Sequence, residues 1–231
     1  MISPGDVISY LDACREEGVN LQRGMNFRLR GRQSVILMNV RPGAPYADRV
    51  EEGGRVLIYE GHDVPRTRGG PDPKAADQPF ANPNGTLTQN GLFHQAAEAL
   101  KGSERPAELV RVYEKLRSGI WVYNGVFRLV DSWMEISNSR KVFKFRLELA
   151  DDPGIAQSDT AHEVEHTRLI PTSVKLAVWK RDKGRCVVCG SRENLHFDHI
   201  IPYSRGGSSL VAENVQLLCA RHNLEKRDRI A

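Results

Sequence analysis

No apolar run in the 231-residue chain approaches the ~20 residues of a membrane-spanning helix, and the N-terminus lacks the charged, apolar and small-residue pattern of a secretory signal. These two absences lead us to expect a soluble, cytoplasmic protein with no membrane partner. Cysteine is scarce, at four residues, and three of the four lie close together near the C-terminus, leaving Cys14 unpaired. A disulfide framework is therefore not the expectation, and a reducing compartment is. A strong charge imbalance is also missing, since the net charge is +4 and the pI about 8.9. The distribution says more than the total. Residues 1–150 carry 21 Lys/Arg against 18 Asp/Glu, residues 151–170 carry 1 against 5, and residues 171–231 carry 11 against 6. Two basic bodies thus flank an acidic tether whose charge would keep it off a polyanion, although an ordinary solvated linker has the same composition.

What is present is densest between Cys186 and Lys226. Cys186-Val-Val-Cys189 is answered by Cys219-Ala-Arg-His222, two knuckles with the same internal gap. Three thiols and an imidazole at this spacing offer the four soft ligands of a tetrahedral zinc ion. The alternative is a redox pair or buried thiols, but a redox pair has no need of the second knuckle. Bound zinc contributes roughly 10–16 kcal/mol to folding a small module. A segment of about sixty residues has too little apolar surface to fold robustly without such help.

Between the knuckles, Leu195, Phe197 and His199 alternate with His196 and Asp198 in an extended run that ends at Pro202. A carboxylate beside an imidazole at a strand end can serve one metal and one water, or can simply cap the strand. After the Gly206-Gly207 loop, Val215, Leu217 and Cys219 form a returning strand, and a basic helix begins near Arg221 with Asn223 in its first turn.

This order of strand, loop, strand and helix resembles the ββα-metal fold of the HNH nuclease family. The resemblance implies that His199 is the general base and that Asp198 and Asn223 hold one Mg2+ or Mn2+ against the scissile phosphate. It also implies that Asn214 steadies the loop and the histidine, and that Lys226 meets DNA. The chemistry suits the residues, because a neutral imidazole accepts a proton near pH 7 and hard oxygen donors suit magnesium. The last motif position holds asparagine where some relatives have histidine.

Toward the N-terminus, Pro4, Asp6, Val7, Ile8, Leu11 and Cys14 lie at helical spacing before Gly18, which predicts an opening core helix. Arg28, Arg30 and Arg32 alternate before the apolar strand Ser34–Met38. In an extended segment they would share one face, directed at phosphate or simply at solvent. Tyr46, Asp48 and Arg49 precede the Glu51–Gly54 turn and a strand ending at Tyr59, followed by Glu60-Gly61-His62-Asp63. Leu87-Thr88-Gln89-Asn90 leads into an alanine-rich helix, and the runs Trp121–Val130 and Val142–Leu147 alternate as paired strands do. Another helix is expected over Ser173–Asp182, beneath the zinc module.

In order, these pieces resemble an SRA (YDG) domain, with Tyr123-Asn124-Gly125 where the family often has Tyr-Asp-Gly and Tyr59-Glu60-Gly61 at its Tyr-x-Gly turn. The resemblance implies that Tyr46 and Tyr59 sandwich a flipped 5-methylcytosine and that Asp48 accepts from its exocyclic amine. Thr88, Gln89 and Asn90 would enter the DNA-facing finger loop. Aromatic stacking of roughly 1–3 kcal/mol per base offsets the few kcal/mol that flipping costs. From spacing alone, tyrosines near strand ends also fit as core or rim residues.

The expected architecture is α+β. Residues 1–150 would form an SRA-like curved β-sheet or barrel with helices, residues 151–170 an acidic linker, and residues 171–231 a zinc-bound ββα-metal (HNH) domain. The expected function is a type IV-like, modification-dependent endonuclease acting on double-stranded DNA that carries 5-methylcytosine or 5-hydroxymethylcytosine. A single HNH centre attacks one strand at a time, so a homodimer, or pairing of monomers on DNA, is expected. The alternatives are an HNH nuclease without modification selectivity and a non-catalytic binder of modified DNA.

Overall fold

Val7 and Ile8 do not open a helix. In the computed structural model, which describes all residues except 1, 22, 71, 151–168, 203, 204 and 227–231, they lie in β1 (Asp6–Ser9), and α1 (Tyr10–Glu17) starts only afterwards. Two local features favour this division. The β-branched pair is at ease in a strand. Ser9 accepts from the Asp12 N–H while the Asp12 carboxylate accepts from the Ser9 N–H, a capping box that fixes the helix start. Gly18 ends the helix at φ 66°, as expected. The expected core face shifts as well, because Leu11 is 62% exposed and Ala13 is the buried residue.

The short strand β2 (Met25–Asn26) and β3 (Ser34–Met38) follow. Between them the arginine segment is not extended. Leu29–Gly31 form a 3-10 turn with Arg28 and Arg30 at positive φ, so the three guanidiniums share no face. Arg28 folds back onto Glu108 at 2.7 Å, a partner eighty positions away. Next come β4 (Arg49–Glu51), β5 (Val56–Glu60), α2 (Gln89–Lys101), β6 (Glu108–Arg117), β7 (Ile120–Ser137) and β8 (Arg140–Leu149). α2 lays Phe93 and Ala97 onto the sheet, where they meet Met25, Ile36, Phe127 and Phe145. Gly61 allows close packing at this end of the sheet. A Cβ there would lie 2.6 Å from Gln78 and 2.7 Å from Asn90.

The C-terminal part consists of α3 (Thr172–Arg181), β9 (Leu195–His199), β10 (Val215–Cys219) and α4 (Ala220–Lys226). Its hairpin is not a separate sheet. β9 pairs antiparallel with β10 on one side and with β1 on the other, and β1 pairs with β7. One sheet therefore runs β10-β9-β1-β7-β6-β3-β2, with β8, β5 and β4 branching from β7. Among the described residues only the β3–β6 pairing is parallel. The long β7 serves both branches because register shifts between Val112 and Tyr113 and between Leu129 and Asp131 bend the ladders around it.

Most of the expected tether, residues 151–168, lies outside the described residues. Its last two positions are packed: Leu169 joins the N-terminal core and Ile170 the C-terminal one, each 6% exposed. Gly54 is pressed against Leu169, whose carbonyl oxygen would lie 2.3 Å from an added Cβ. Among the described residues no helix is long and apolar enough to cross a membrane.

Candidate functional site

β9 and β10 bring the reactive residues together. In their ladder Asp198 stands opposite Gln216, and His199 opposite Val215. Asp198 is 8% exposed, and its Oδ2 accepts from Gln216 Nε2 at 3.2 Å and from Lys226 Nζ at 3.1 Å. Lys226 also donates to the His199 carbonyl at 2.6 Å. The lysine expected to meet DNA thus lies inward, because a buried carboxylate and a carbonyl lie within its reach. His199 is equally buried, and its Nε2 shares a 2.8 Å hydrogen bond with the Ser209 hydroxyl. Asn214 closes the loop between them. Its Oδ1 accepts from the Ile201 N–H, and its Nδ2 donates to the carbonyls of Ile201 and Ser208.

Asn223 sits half-buried in α4, one turn before Lys226. Residues three apart on a helix share a face. The side of α4 that reaches Asp198 through Lys226 is therefore the side that carries Asn223. A carboxylate with an amide on the adjoining helical face offers oxygen donors of the kind a hard divalent cation takes, and the Lys226 ammonium group now stands on one of those oxygens.

Behind this face the four knuckle residues converge. The ligand atoms of Cys186, Cys189, Cys219 and His222 all lie within 4.8 Å of one another. The Cys189 and Cys219 sulfurs are 3.8 Å apart, and His222 Nδ1 is 3.4 Å from the Cys186 sulfur and 3.3 Å from that of Cys219. A disulfide would need about 2.05 Å. By contrast, sulfurs at ~2.3 Å from a tetrahedral centre lie about 3.8 Å apart. Burial raises the Cys186 thiol, but N–H groups of Cys189, Cys219 and Val188, together with His222, outweigh it and bring the pKa down to about 6. Chemistry and spacing both fit zinc, held by these four side chains.

The aromatic site lies at the other end of the sheet. Tyr46 is half-buried and stacks on His62 with centroids 5.5 Å apart, while Lys74 Nζ stands 3.9 Å from the Tyr46 ring centroid. Tyr59 is only 2% exposed and shares a 3.0 Å hydrogen bond with His62 Nε2. The two tyrosines expected to face each other are thus separated by an imidazole. Burial lowers His62 to about 4, and Arg23 and Lys74 add to this against Asp63, so the ring is neutral at pH 7.

Asp48 lines a cavity of about 450 Å³ together with Tyr46, Glu60, Lys74, Asn138 and Arg140. Its two oxygens accept the Asn39 and Glu60 N–H groups, each at 3.0 Å. Burial nevertheless lifts its carboxyl to about 7, with Glu60 contributing. Beneath the cavity Glu60 pairs with Lys144 at 2.8 Å and Asp63 with Arg140 at 2.6 Å. Sequence reading missed this charged floor and His62; the quartet Glu60-Gly61-His62-Asp63 was the available signal, but its partners lie on distant β8.

The finger-loop residues occupy a different place from the one expected. Thr88 caps α2, Gln89 accepts from the Phe27 N–H, and Asn90, 1% exposed, bonds both the N–H and the carbonyl of His62. Asn90 braces His62, while Thr88 and Gln89 are half-buried at the start of α2.

The sheet thus carries an aromatic-walled, charge-floored cavity at one end and, at the other, a ββα element whose Cys/His cluster could hold a metal ion. The SAD/SRA domain family matches residues 2–152, and the HNH endonuclease family matches residues 186–229. The chain belongs to the SAD/SRA family and carries an HNH endonuclease domain at its C-terminal end; it is an HNH endonuclease. No curated protein matches it. Among solved structures, the SRA domain of SUVH5 in complex with hemi-methylated CG DNA is 21% identical, covering 65% of this chain and 89% of that one, with a TM-score of 0.46. The modification-dependent TagI restriction endonuclease is 21% identical, covering 97% of this chain and 76% of that one, with a TM-score of 0.42.

Proposed function

We propose that the protein is a modification-dependent DNA endonuclease that flips 5-methylcytosine or 5-hydroxymethylcytosine into the Tyr46 cavity and cuts with a one-metal HNH centre. The observation that carries the reading is the presence, on one sheet, of a tyrosine-walled polar cavity and a buried His199–Asp198 pair. The base enters on the Tyr46 face now covered by Lys74, whose half-exposed side chain can swing aside. The opposite face remains on neutral His62. Asp48 keeps an acceptor lone pair on each oxygen beyond its backbone bonds, directed at the exocyclic amine of cytosine.

In the nuclease site Asp198 and Asn223 would hold Mg2+ or Mn2+, which supplies positive charge against the phosphate in the transition state. Ser209 holds the imidazole at Nε2, and His199 takes the proton from water. The water oxygen bonds to phosphorus, the P–O bond to the leaving sugar oxygen breaks, and that oxygen takes a proton from a second water. Asn214 fixes the loop that positions Ser209, and Gln216 orients the Asp198 carboxylate. Zinc at Cys186, Cys189, Cys219 and His222 is structural in this reading. Arg28, Arg30, Arg32 and the helix-cap residues Thr88, Gln89 and Asn90 support the DNA-facing surface and do not read bases.

Tyr46→Ala is expected to weaken binding to modified DNA by the stacking contribution, roughly 1–3 kcal/mol, or about five- to more than a hundredfold. Cleavage of unmodified DNA at high enzyme concentration should survive. The measurement is binding and cleavage of matched duplexes carrying cytosine, 5-methylcytosine or 5-hydroxymethylcytosine, with and without magnesium and at fixed salt. Equal wild-type affinity for all three would leave a plain HNH nuclease. Modification-dependent binding without metal-dependent cleavage would leave a binding protein.

One centre per chain also implies two copies for a double-strand break. We expect a homodimer, or pairing on DNA, visible by sedimentation. A monomer that makes both cuts in a single encounter would refute this.

A further inference from the structure

The two modules meet through contacts that a flexible tether would not need. β1 belongs to the N-terminal part, yet it is a middle strand between β7 and the nuclease strand β9, with Asp6 opposite His196 and Val7 opposite Leu195. The Phe197 N–H donates to the Gly5 carbonyl at 3.2 Å, and His196 Nδ1 lies 2.5 Å from Asp6 Oδ1. One apolar cluster takes Leu116 and Val122 from the N-terminal sheet and Val174, Val178 and Phe197 from the nuclease part.

At its edge is a charge cluster that neither module completes alone. Lys175 on α3 is 1% exposed and donates to Glu114 on β6 at 2.6 Å and to Asn124 on β7 at 2.8 Å. Asn124 donates to the same carboxylate at 2.9 Å, and the Thr172 hydroxyl donates to its other oxygen. A buried ammonium group must meet its carboxylate at hydrogen-bond distance, because a displaced register leaves both charges desolvated and unpaired. Such a cluster permits one docking geometry.

We infer that the SRA part and the nuclease form one rigid cutting unit, in which β1 and the Lys175–Glu114–Asn124 cluster, and not the length of the connecting chain, set the distance from the recognised base to the cut phosphate. This rests on the reading under Proposed function. Lys175 and Glu114 are then specificity-determining residues of the cleavage reaction, although they touch neither base nor phosphate.

The test maps cut positions of the full chain on duplexes that carry one 5-methylcytosine, alongside calorimetric unfolding. Insertion of about ten Gly/Ser residues after Gln157, enough to lengthen a tether freely, should leave the cut positions unchanged. Lys175→Met strands a buried carboxylate and should scatter the cuts over about a helical turn of roughly ten base pairs. It should also split a single unfolding transition into two. Lys175→Met combined with Glu114→Gln should restore the single transition, and Thr172→Ala serves as the milder variant if Lys175→Met fails to fold. Cuts that move with the insertion, or stay unchanged in Lys175→Met, would overturn the inference. Wild-type cuts unrelated to the modified base would instead remove the reader assignment. In that event calorimetry still decides the rigid unit, since two transitions in the wild type would refute it.

Discussion

His199→Ala is expected to slow DNA cleavage by about 10²–10⁴-fold, the usual contribution of a positioned general base. Binding to the same DNA should be nearly unchanged. The separation follows from where the side chain lies. Its ring shares a hydrogen bond with Ser209, and losing such a bond costs about 1 kcal/mol. Lys226 ties α4 to this strand through the His199 carbonyl, which alanine retains, and through the Asp198 carboxylate. The fold around Asp198 therefore stays in place while the proton acceptor is gone. His199→Gln keeps a polar group near Ser209 without an imidazole's basicity, and should be as slow as alanine. Single-turnover cleavage at saturating enzyme, with anisotropy for binding, makes the comparison. Cleavage by both variants at the wild-type rate would remove His199 from the chemistry.

The parts of the molecule that could be read from sequence are those whose information is local. The two knuckles need only their internal gaps, because a tight turn holds both ligands of each pair. β9 alternates as written, and β7 and β8 pair as their alternation implied. β1 could not be read this way. Over Pro4–Gly18 the apolar spacing fits a helix, and what makes Asp6–Ser9 a strand is a partner some 190 positions away, at Leu195 and His196. The pairing that joins the two parts could not be read for the same reason, since the sheet continues through β1 whatever the composition of residues 151–170.

Polar side chains were harder still to place. Arginines at alternating positions share a face only if the backbone is extended, and Arg28 and Arg30 take positive φ instead. Asn90 and Lys226 carry the groups that contact nucleic acid elsewhere, but each has a buried backbone or carboxylate partner within reach. An unpaired buried partner costs more than a surface contact returns. His62 lies in a quartet that stood out in the sequence, but nothing local places its ring between the two tyrosines. Its place depends on Gly24, where a Cβ would lie 2.8 Å from both the His62 ring and the Tyr59 hydroxyl.

Removal of zinc is expected to unfold the nuclease end of the molecule. Ligation by such a set contributes roughly 10–16 kcal/mol, more than the ~5–15 kcal/mol by which whole domains are usually stable. Cys186 couples the two contributions, because its thiol is a ligand and its residue is 2% exposed within the apolar cluster of Val174, Val178 and Leu217. Cys186→Ala should therefore lose stoichiometric zinc and all cleavage, and should raise hydrogen exchange across β9, β10 and α4. The effect should not stop at residue 171. β1 would lose the partner on one of its edges, so Asp6–Ser9 should exchange faster too, while β3, β6 and the core around Phe93 remain protected. Cys14→Ala, outside the ligand set, is the control and should keep its zinc. Elemental analysis with peptide-resolved exchange reads both effects. Full zinc content in Cys186→Ala and in Cys219→Ala would show that these thiols do not hold the ion. Loss of zinc with unchanged protection of β9 would show that the sheet, and not the metal, holds the nuclease end together.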